Sequence, residues 1–137
     1  MKIDIVSHVL YRLYDRKAAT KWLVDVFECE ILIRGRIDYA RIGDVLIELA
    51  REDPRVEAES MSDRYMFGVQ VPQLEPVIAE CEAHGSKITK PIYVPTSFWG
   101  RQAVVSVPGG MPVALREYRA PDGPHFRGWY PESPVVV

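Results

Sequence analysis

Cysteine and long apolar runs are both scarce in this sequence. Its two cysteines, Cys29 and Cys81, show no paired spacing, so they predict no disulfide scaffold. Without such pairing and without a signal segment, the expected location is the reducing cytoplasm. No apolar run approaches the roughly 18 residues that a membrane-spanning helix needs, so we expect no membrane partner.

A marked excess of either charge is also lacking. The 137 residues include 17 Lys and Arg against 19 Asp and Glu, which gives a net charge of −2. This balance provides no electrostatic reason to bind nucleic acid, and we expect no nucleic-acid partner. A hydrophobic content of 47% and a charged content of 26% are typical of globular proteins, and the length suits one compact domain.

The sequence does contain an imperfect internal repeat. Residues 8–13 and 66–71 are both strand-like, and each is followed by a helical pattern and then by three strands. In the first half we expect Asp15 to be the N-cap of a helix that runs to about Cys29. The order predicts an α+β fold built from two β-α-β-β-β modules. The predicted strands cover 2–13, 30–36, 37–42, 45–50, 65–71, 87–93, 102–107 and 113–118, and the second helix covers 74–84.

The segments around the repeat divide the chain. One domain is expected at 1–120, with modules at about 3–50 and 65–118 and a charged linker at 51–64. The C-terminal segment at 121–137 contains four prolines and three aromatic residues, so it is unsuited to a helix and too aromatic for a typical disordered tail. We expect this tail to dock on the domain or on a partner subunit.

The two copies of the repeat differ in length. Aligning His8 with Met66 needs an offset of 58 (66 − 8), whereas the last strands need an offset of 66 (114 − 48). An insertion of about eight residues, placed most easily at 94–100, accounts for the difference. Pro91 in the preceding strand predicts an edge strand or a bulge, because proline cannot donate to a strand ladder.

Several motifs inside the repeat resemble a known family. The most specific stretches are Ser7-His8-Val9 followed by Leu13-Tyr14-Asp15, and Trp99-Gly100-Arg101 followed by Pro108-Gly109-Gly110 and Leu115-Arg116-Glu117. Together with the doubled module, they resemble the vicinal oxygen chelate superfamily over about residues 3–118. That superfamily includes glyoxalase I, extradiol dioxygenases, fosfomycin-resistance enzymes and bleomycin-binding proteins. The resemblance implies a cleft lined by one face of each sheet, and a homodimer, because many members are dimers.

The resemblance also implies where a metal would bind. Each module of such proteins typically provides one ligand from its first strand and one from its last. Those positions are occupied here by His8, Glu48, Met66 and Ala114. Imidazole and carboxylate suit Zn, Ni, Fe or Mn, whereas a thioether is too soft for these metals and alanine has no donor atom. The implied metal site is therefore incomplete, with His8 and Glu48 as its ligands and His125 of the tail as a residue that could complete it.

Other side chains are expected to line the cleft because of strand alternation or, for the tryptophan, because it could stack on a ligand. The ligand-binding candidates are Leu10, Arg12, Met66, Gln70, Trp99, Ala114 and Arg116. A mostly apolar surface with a few polar groups is typical of small-molecule sites. Arg12 and Arg116 suit a carboxylate or an enolate. The alternative is structural: these arginines pair with carboxylates of the sheet, and Glu48 pairs with His8 or Arg12.

Three functions remain open from these residues. The first is a protein that binds or transforms a small organic molecule, with an anionic molecule among the candidates. If it is a metal-free enzyme, His8 and Glu48 would be its catalytic acid–base pair. The alternative is a divalent-metal-dependent lyase, isomerase or dioxygenase that uses the same two residues as metal ligands. The third is an interaction module with a filled cleft. Whether the cleft forms within one chain or between two chains also stays open.

Overall fold

The computed structural model describes residues 9–34, 37–43, 45–50, 66–97 and 99–119. The first half comprises β1 (Val9–Arg12), α1 (Arg16–Phe27), β2 (Glu30–Arg34), β3 (Ile37–Ile42) and β4 (Val45–Ala50). The second half comprises β5 (Phe67–Gln70), α2 (Leu74–Ala83), β6 (Lys87–Tyr93), β7 (Gly100–Val107) and β8 (Met111–Tyr118). The predicted α+β class and the β-α-β-β-β order of both halves are confirmed. His8, the linker at 51–64 and the tail at 121–137 with His125 lie outside the described residues.

Each half forms its own four-stranded mixed sheet. The strand orders are β1-β4-β3-β2 and β5-β8-β7-β6. In both sheets the first and last strands of the module pair in parallel, and all other neighbours pair antiparallel. The last strand of each module therefore lies inside its sheet, beside the first strand, so residues far apart in sequence become neighbours.

The extra residues of the second copy lie between β6 and β7. Ile31 pairs with Ala40, nine positions later, whereas Ile88 pairs with Val105, seventeen positions later. The difference of eight (17 − 9) equals the predicted insertion, and the segment contains residues 94–100. β6 is the edge strand of its sheet and carries two register shifts around Pro91, so the edge or bulge predicted there is confirmed.

The helix-facing sides of the two sheets share one hydrophobic core. The rings of Tyr11 and Phe67 meet edge to face, with 5.8 Å between their centroids. The Gly109 carbonyl, in the β7–β8 turn, accepts the backbone N–H groups of Tyr14 at 3.0 Å and Asp15 at 3.3 Å. A Cβ atom on Gly109 would lie 2.2 Å from the Asp15 carbonyl oxygen, so this close approach requires glycine. The core includes Leu13, Leu23, Ile47 and Leu49 from the first half and Leu74, Val105, Val113 and Leu115 from the second.

Both cysteines belong to this packed interior. Cys29 and Cys81 are free and buried, and burial raises the pKa of each thiol to about 11. Both thiols are therefore protonated at neutral pH, which makes them poor nucleophiles and poor metal ligands. Neither helix in the described part of the chain has the length and apolar content needed to cross a membrane.

The two helices begin in different ways. The side chain of Asp15 accepts the Ala18 N–H at 3.0 Å, which confirms the predicted N-cap of α1. Gln73 occupies the same position before α2 but makes no side-chain cap. There Glu117 of β8 accepts the Leu74 N–H at 3.0 Å, so a carboxylate from a distant strand replaces the local cap.

Glu117 is held in place by an arginine. It is only 8% exposed, and Arg101 donates to it at 2.7 Å while also contacting Glu75 at 2.7 Å. The hydrogen bond from Arg101 lowers the pKa of Glu117 to about 2, and the N–H of Leu74 and the side chain of Arg119 also favour the charged form. This carboxylate therefore ties the last strand of the second module to its helix.

Replacing this carboxylate should destabilise the protein in a pH-dependent way. Glu117→Gln removes charge-assisted bonds and should cost about 1.5–3 kcal/mol of unfolding free energy at pH 7. The folded-state pKa lies below the ordinary value of 4.5, so the stabilisation is complete above pH 4.5 and is lost as the pH falls towards 2. Urea titrations at several pH values should show that the difference in unfolding free energy between wild type and Glu117→Gln becomes smaller below pH 4.5.

The exposed partner of Arg101 gives a matched control. Glu75→Gln removes a side chain that is 61% exposed, and it should have a much smaller effect than Glu117→Gln. If the difference in unfolding free energy between wild type and Glu117→Gln does not change with pH, the charge of the carboxylate is not what stabilises α2.

Candidate ligand-binding site

Pairing in the second sheet places two kinds of side chain in neighbouring rows on its open face, the face turned away from α2. Gly68 pairs with Ala114, and these two residues are called the small row. Two positions further along each strand, Gln70 pairs with Arg116, which pairs in turn with Gln102 of β7, which pairs with Tyr93 of β6. These four residues are called the polar row. Because residues two apart share a face, both rows point to the same side.

Hydrogen bonds along the polar row orient its arginine. Arg116 Nε donates to Gln102 Oε1 at 2.6 Å, and Arg116 Nη1 donates to the Tyr118 hydroxyl at 3.3 Å. The Gln102 amide nitrogen donates to the Tyr93 hydroxyl, so the amide has a defined orientation and is only 7% exposed. Gln102 and Tyr118 are neutral acceptors, and their bonds fix the orientation of the guanidinium.

The small row opens a cavity above the sheet. A Cβ added at Gly68 would meet its nearest atoms at 3.7 Å and 3.8 Å, both on Ala114, which is ordinary contact. Small residues here leave space that larger side chains would fill. The cavity has a volume of about 590 Å³ and extends past the edge strand β5 to the β3–β4 turn. Its lining consists of Val9, Ile42, Gly43, Val45, Ile47, Met66, Phe67, Gly68, Val69, Gln70, Gln102, Ala114, Arg116 and Tyr118.

Arg116 is the one residue with a formal charge among the described residues that line this cavity. Among the described residues that line it, Arg116 and Tyr118 are the only ones with a titratable side chain. The described lining has no carboxylate, imidazole, amine or thiol that could transfer a proton near neutral pH. The guanidinium of Arg116 can attract an anion to this lining.

The structure separates the predicted site residues into two groups. Met66, Gln70, Ala114 and Arg116 line the cavity, whereas Leu10, Arg12, Glu48 and Trp99 do not. Glu48 pairs with Leu10 and Tyr39 on the open face of the first sheet, where it is 9% exposed. Since the modules pack through their helix-facing sides, one chain does not bring Glu48 into the cavity that holds Ala114.

The residues at the implied metal positions do not fit a four-ligand centre. Of the three that are described, only Glu48 is a suitable donor, since Met66 is a thioether and Ala114 has no donor. Within the described ranges there is no group of three or more His, Cys, Asp or Glu residues that could hold a metal ion. The described residues at these positions therefore do not form a metal centre by themselves.

Two polar residues of the cavity were not predicted from the sequence. Gln102 and Tyr118 both contact Arg116, and neither is among the predicted ligand-binding residues. Strand alternation offered a signal, because Tyr118 lies two positions after Arg116 on the same strand. Gln102 required the β7–β8 register, which pairs it with Arg116.

Comparison with solved structures identifies the fold. The FosX fosfomycin resistance protein from Listeria monocytogenes, solved with Mn(II) and 1S,2S-dihydroxypropylphosphonic acid, has a TM-score of 0.70 at 17% identity, covering 87% of this chain and 94% of that chain. A glyoxalase-related enzyme from Fulvimarina pelagi has a TM-score of 0.65 at 16% identity, covering 84% and 88%. TioX from Micromonospora sp. ML1 has a TM-score of 0.57 at 22% identity, covering 83% and 100%.

No protein-family model matches the chain, and no curated protein matches it either. The TM-scores, over most of this chain and most of each neighbour, establish a shared fold. The resemblance found in the sequence is thereby confirmed at the level of architecture. The chain shares the paired β-α-β-β-β fold of these neighbours.

Proposed function

We propose that this protein binds a small organic anion in the cavity above β5 and β8. The observation that carries the proposal is Arg116, a cation positioned by Gln102 and Tyr118 within an otherwise mostly apolar lining. Charge interactions strengthen where the surroundings are apolar, and a guanidinium can grip two oxygens of one anion. A concave apolar site with a few oriented polar groups is the usual form of a small-molecule site.

Two further points support an anion and favour binding over catalysis. FosX, which shares the fold, was solved with a phosphonic acid, which is an anionic ligand. The described lining holds no carboxylate, imidazole, amine or thiol, so it is better suited to holding a ligand than to moving its protons. Among the three functions left open by the sequence, small-molecule binding therefore has the most support.

A variant that fills the cavity should abolish binding. Gly68→Leu places a branched side chain where only ordinary contacts surround the glycine, so the protein should fold and the cavity should close. We expect benzoate and phenylphosphonate, titrated at millimolar concentrations into ¹⁵N-labelled wild type, to shift the amide signals of Gly68, Gln70 and Ala114. In Gly68→Leu these shifts should disappear.

Ala83→Leu is the matched control, because it adds similar bulk at an exposed position of α2. It should bind both probes like wild type. If neither probe shifts any cavity signal in wild type, or if the same shifts persist in Gly68→Leu, the cavity is not a site for small organic anions.

A divalent-metal-dependent lyase, isomerase or dioxygenase is the second candidate. It is favoured by the structural similarity to FosX, which was solved with Mn(II), and by the burial of Glu48 at the position where the resemblance places a ligand. Glu48 and His8 would hold the ion, which would polarise oxygens of a bound substrate. Met66 and Ala114 weigh against this candidate, so we rank it below anion binding.

Elemental analysis separates the two candidates. For an anion-binding protein we expect well below one transition metal per chain after purification without chelator, with wild type and Glu48→Ala alike. One equivalent of metal in wild type that is lost in both Glu48→Ala and His8→Ala would instead establish the metal-dependent protein.

We also propose that the protein is a homodimer in the cytoplasm. Pairing places Leu10, Glu48, Tyr39 and Leu32 in one row across the open face of the first sheet. Leu10 is 47% exposed and Leu32 is 52% exposed, and a second copy that covers them would bury apolar surface. Such a dimer could bring the face carrying Glu48 next to the cavity of the other chain. The two free, buried cysteines support a reducing compartment.

Light scattering coupled to size-exclusion chromatography tests the dimer. Wild type should have twice the chain mass of 15.6 kDa. Leu32→Glu should shift the protein towards the monomer, because a charge in the contact is costly to bury. Val24→Glu, at an exposed position of α1, should stay dimeric. A wild type that elutes with the mass of a single chain would refute the dimer.

A further inference from the structure

The lining of the cavity changes from apolar to polar along both central strands. On the open face, β8 presents Ala114, then Arg116, then Tyr118, while Gly68 of β5 is followed by Gln70. Met66, immediately before β5, lies on the apolar side of Gly68. All the polar side chains of the described lining therefore lie at one end of the cavity.

The dimensions of this gradient exceed those of a very small ligand. Residues 66 and 70 are four positions apart along extended backbone, which corresponds to about 13 Å. The cavity volume of about 590 Å³ lies within the range of about 300–1,000 Å³ typical of pockets for drug-sized molecules. A ligand with only a few carbon atoms could contact the polar row but would leave most of the apolar wall in water.

The apolar wall is formed by residues of both sheets. Gly68 and Ala114 contribute from the second sheet, and Val9, Ile42 and Val45 contribute from the first. A flat or extended hydrocarbon body inserted here would remove apolar surface from water, which gives about 25 cal/mol for each Å² buried. The anionic group of the same molecule would then reach the polar row.

From this gradient we infer that the ligand is an amphipathic anion. It has an apolar body about 10 Å or more in length and one carboxylate, sulfonate or phosphonate at its end. The anionic group contacts Arg116 in the polar row, and the body lies over the small row against Val9 and Val45. This inference rests on the proposed anion-binding function and specifies its ligand class. Both parts of the ligand are needed for tight binding. An anionic group alone would leave the apolar lining in contact with water, and an apolar body alone would make no charge-assisted hydrogen bond.

Two fluorescent probes separate the contributions of body and charge. 8-Anilinonaphthalene-1-sulfonate (ANS) and N-phenyl-1-naphthylamine (NPN) share the same aromatic body, and only the first carries a sulfonate. Fluorescence titration of the full-length wild type should give one site for each probe, with ANS bound at least about tenfold more tightly. Propane-1-sulfonate, which has the charge without the body, should displace ANS only at concentrations at least about a hundredfold higher than the ANS dissociation constant.

Variants assign these effects to the two rows. Arg116→Gln should weaken ANS at least about tenfold and leave NPN within about twofold of wild type. Arg119→Gln, which removes an arginine that is 61% exposed and outside the cavity, should change neither probe. Gly68→Leu should lose both probes. Far-UV circular dichroism and thermal midpoints confirm that each variant is folded, because ANS also binds loosely packed states.

The outcomes test the amphipathic ligand and the proposed anion-binding function separately. Equal affinities of ANS and NPN, or an unchanged ratio in Arg116→Gln, would overturn the amphipathic anion. The amphipathic anion would also be overturned if ANS still bound to folded Gly68→Leu. The same holds if benzoate shifted the amide signals of the cavity while ANS did not bind. In that last case the proposed anion-binding function would stand. If neither ANS nor the small aromatic anions bind, both the inference and the function fail.

Discussion

The parallel pairing of β5 with β8 is the constraint on which the candidate site depends. It places Gly68 beside Ala114 and Gln70 beside Arg116, and a slip of one residue would turn both rows into the core. The register is stabilised from the other face, where Phe67 lies next to Val113 against the helix. Immediately after β5, the Val71 N–H donates to the Arg116 carbonyl at 2.8 Å, and Glu117 of β8 caps α2. Core packing and helix capping thus position the cavity, and Ile47 and Phe67 of the packed interior also line it.

The two halves of the chain use one architecture for different surfaces. The row that carries Leu10 and Glu48 in the first sheet corresponds to Gly68 and Ala114 in the second. The small side chains at these positions leave space, and Arg116 is the charged group of the described lining. The asymmetry within the repeat therefore leaves two of the positions implied by the resemblance without a suitable metal donor. The same asymmetry contributes to an apolar cavity with a cation at one end.

The structural neighbours establish the fold of this chain but not its activity. FosX and TioX share the architecture at 17% and 22% identity, and the sequence identity is too low to transfer an activity. The proposed function therefore rests on the cavity of this chain: its volume, its polarity gradient and the orientation of Arg116. The sequence resemblance places Glu48 at a ligand position of a shared cleft. In the single chain, however, Glu48 lies on the open face of the first sheet and does not line the cavity.

The local features of the fold could be predicted from sequence because they depend on neighbours along the chain. Asp15 caps α1 through a residue three positions away, strand alternation assigned Met66, Gln70 and Arg116 to one face, and the eight-residue insertion followed from counting. Only the tertiary structure decided which faces meet. Gln102 joins Arg116 through a strand register, and Glu48 is kept from Ala114 because the modules merge on their helix-facing sides. Both outcomes depend on packing between segments distant in sequence, and the periodicity of a single strand carries no information about its partner.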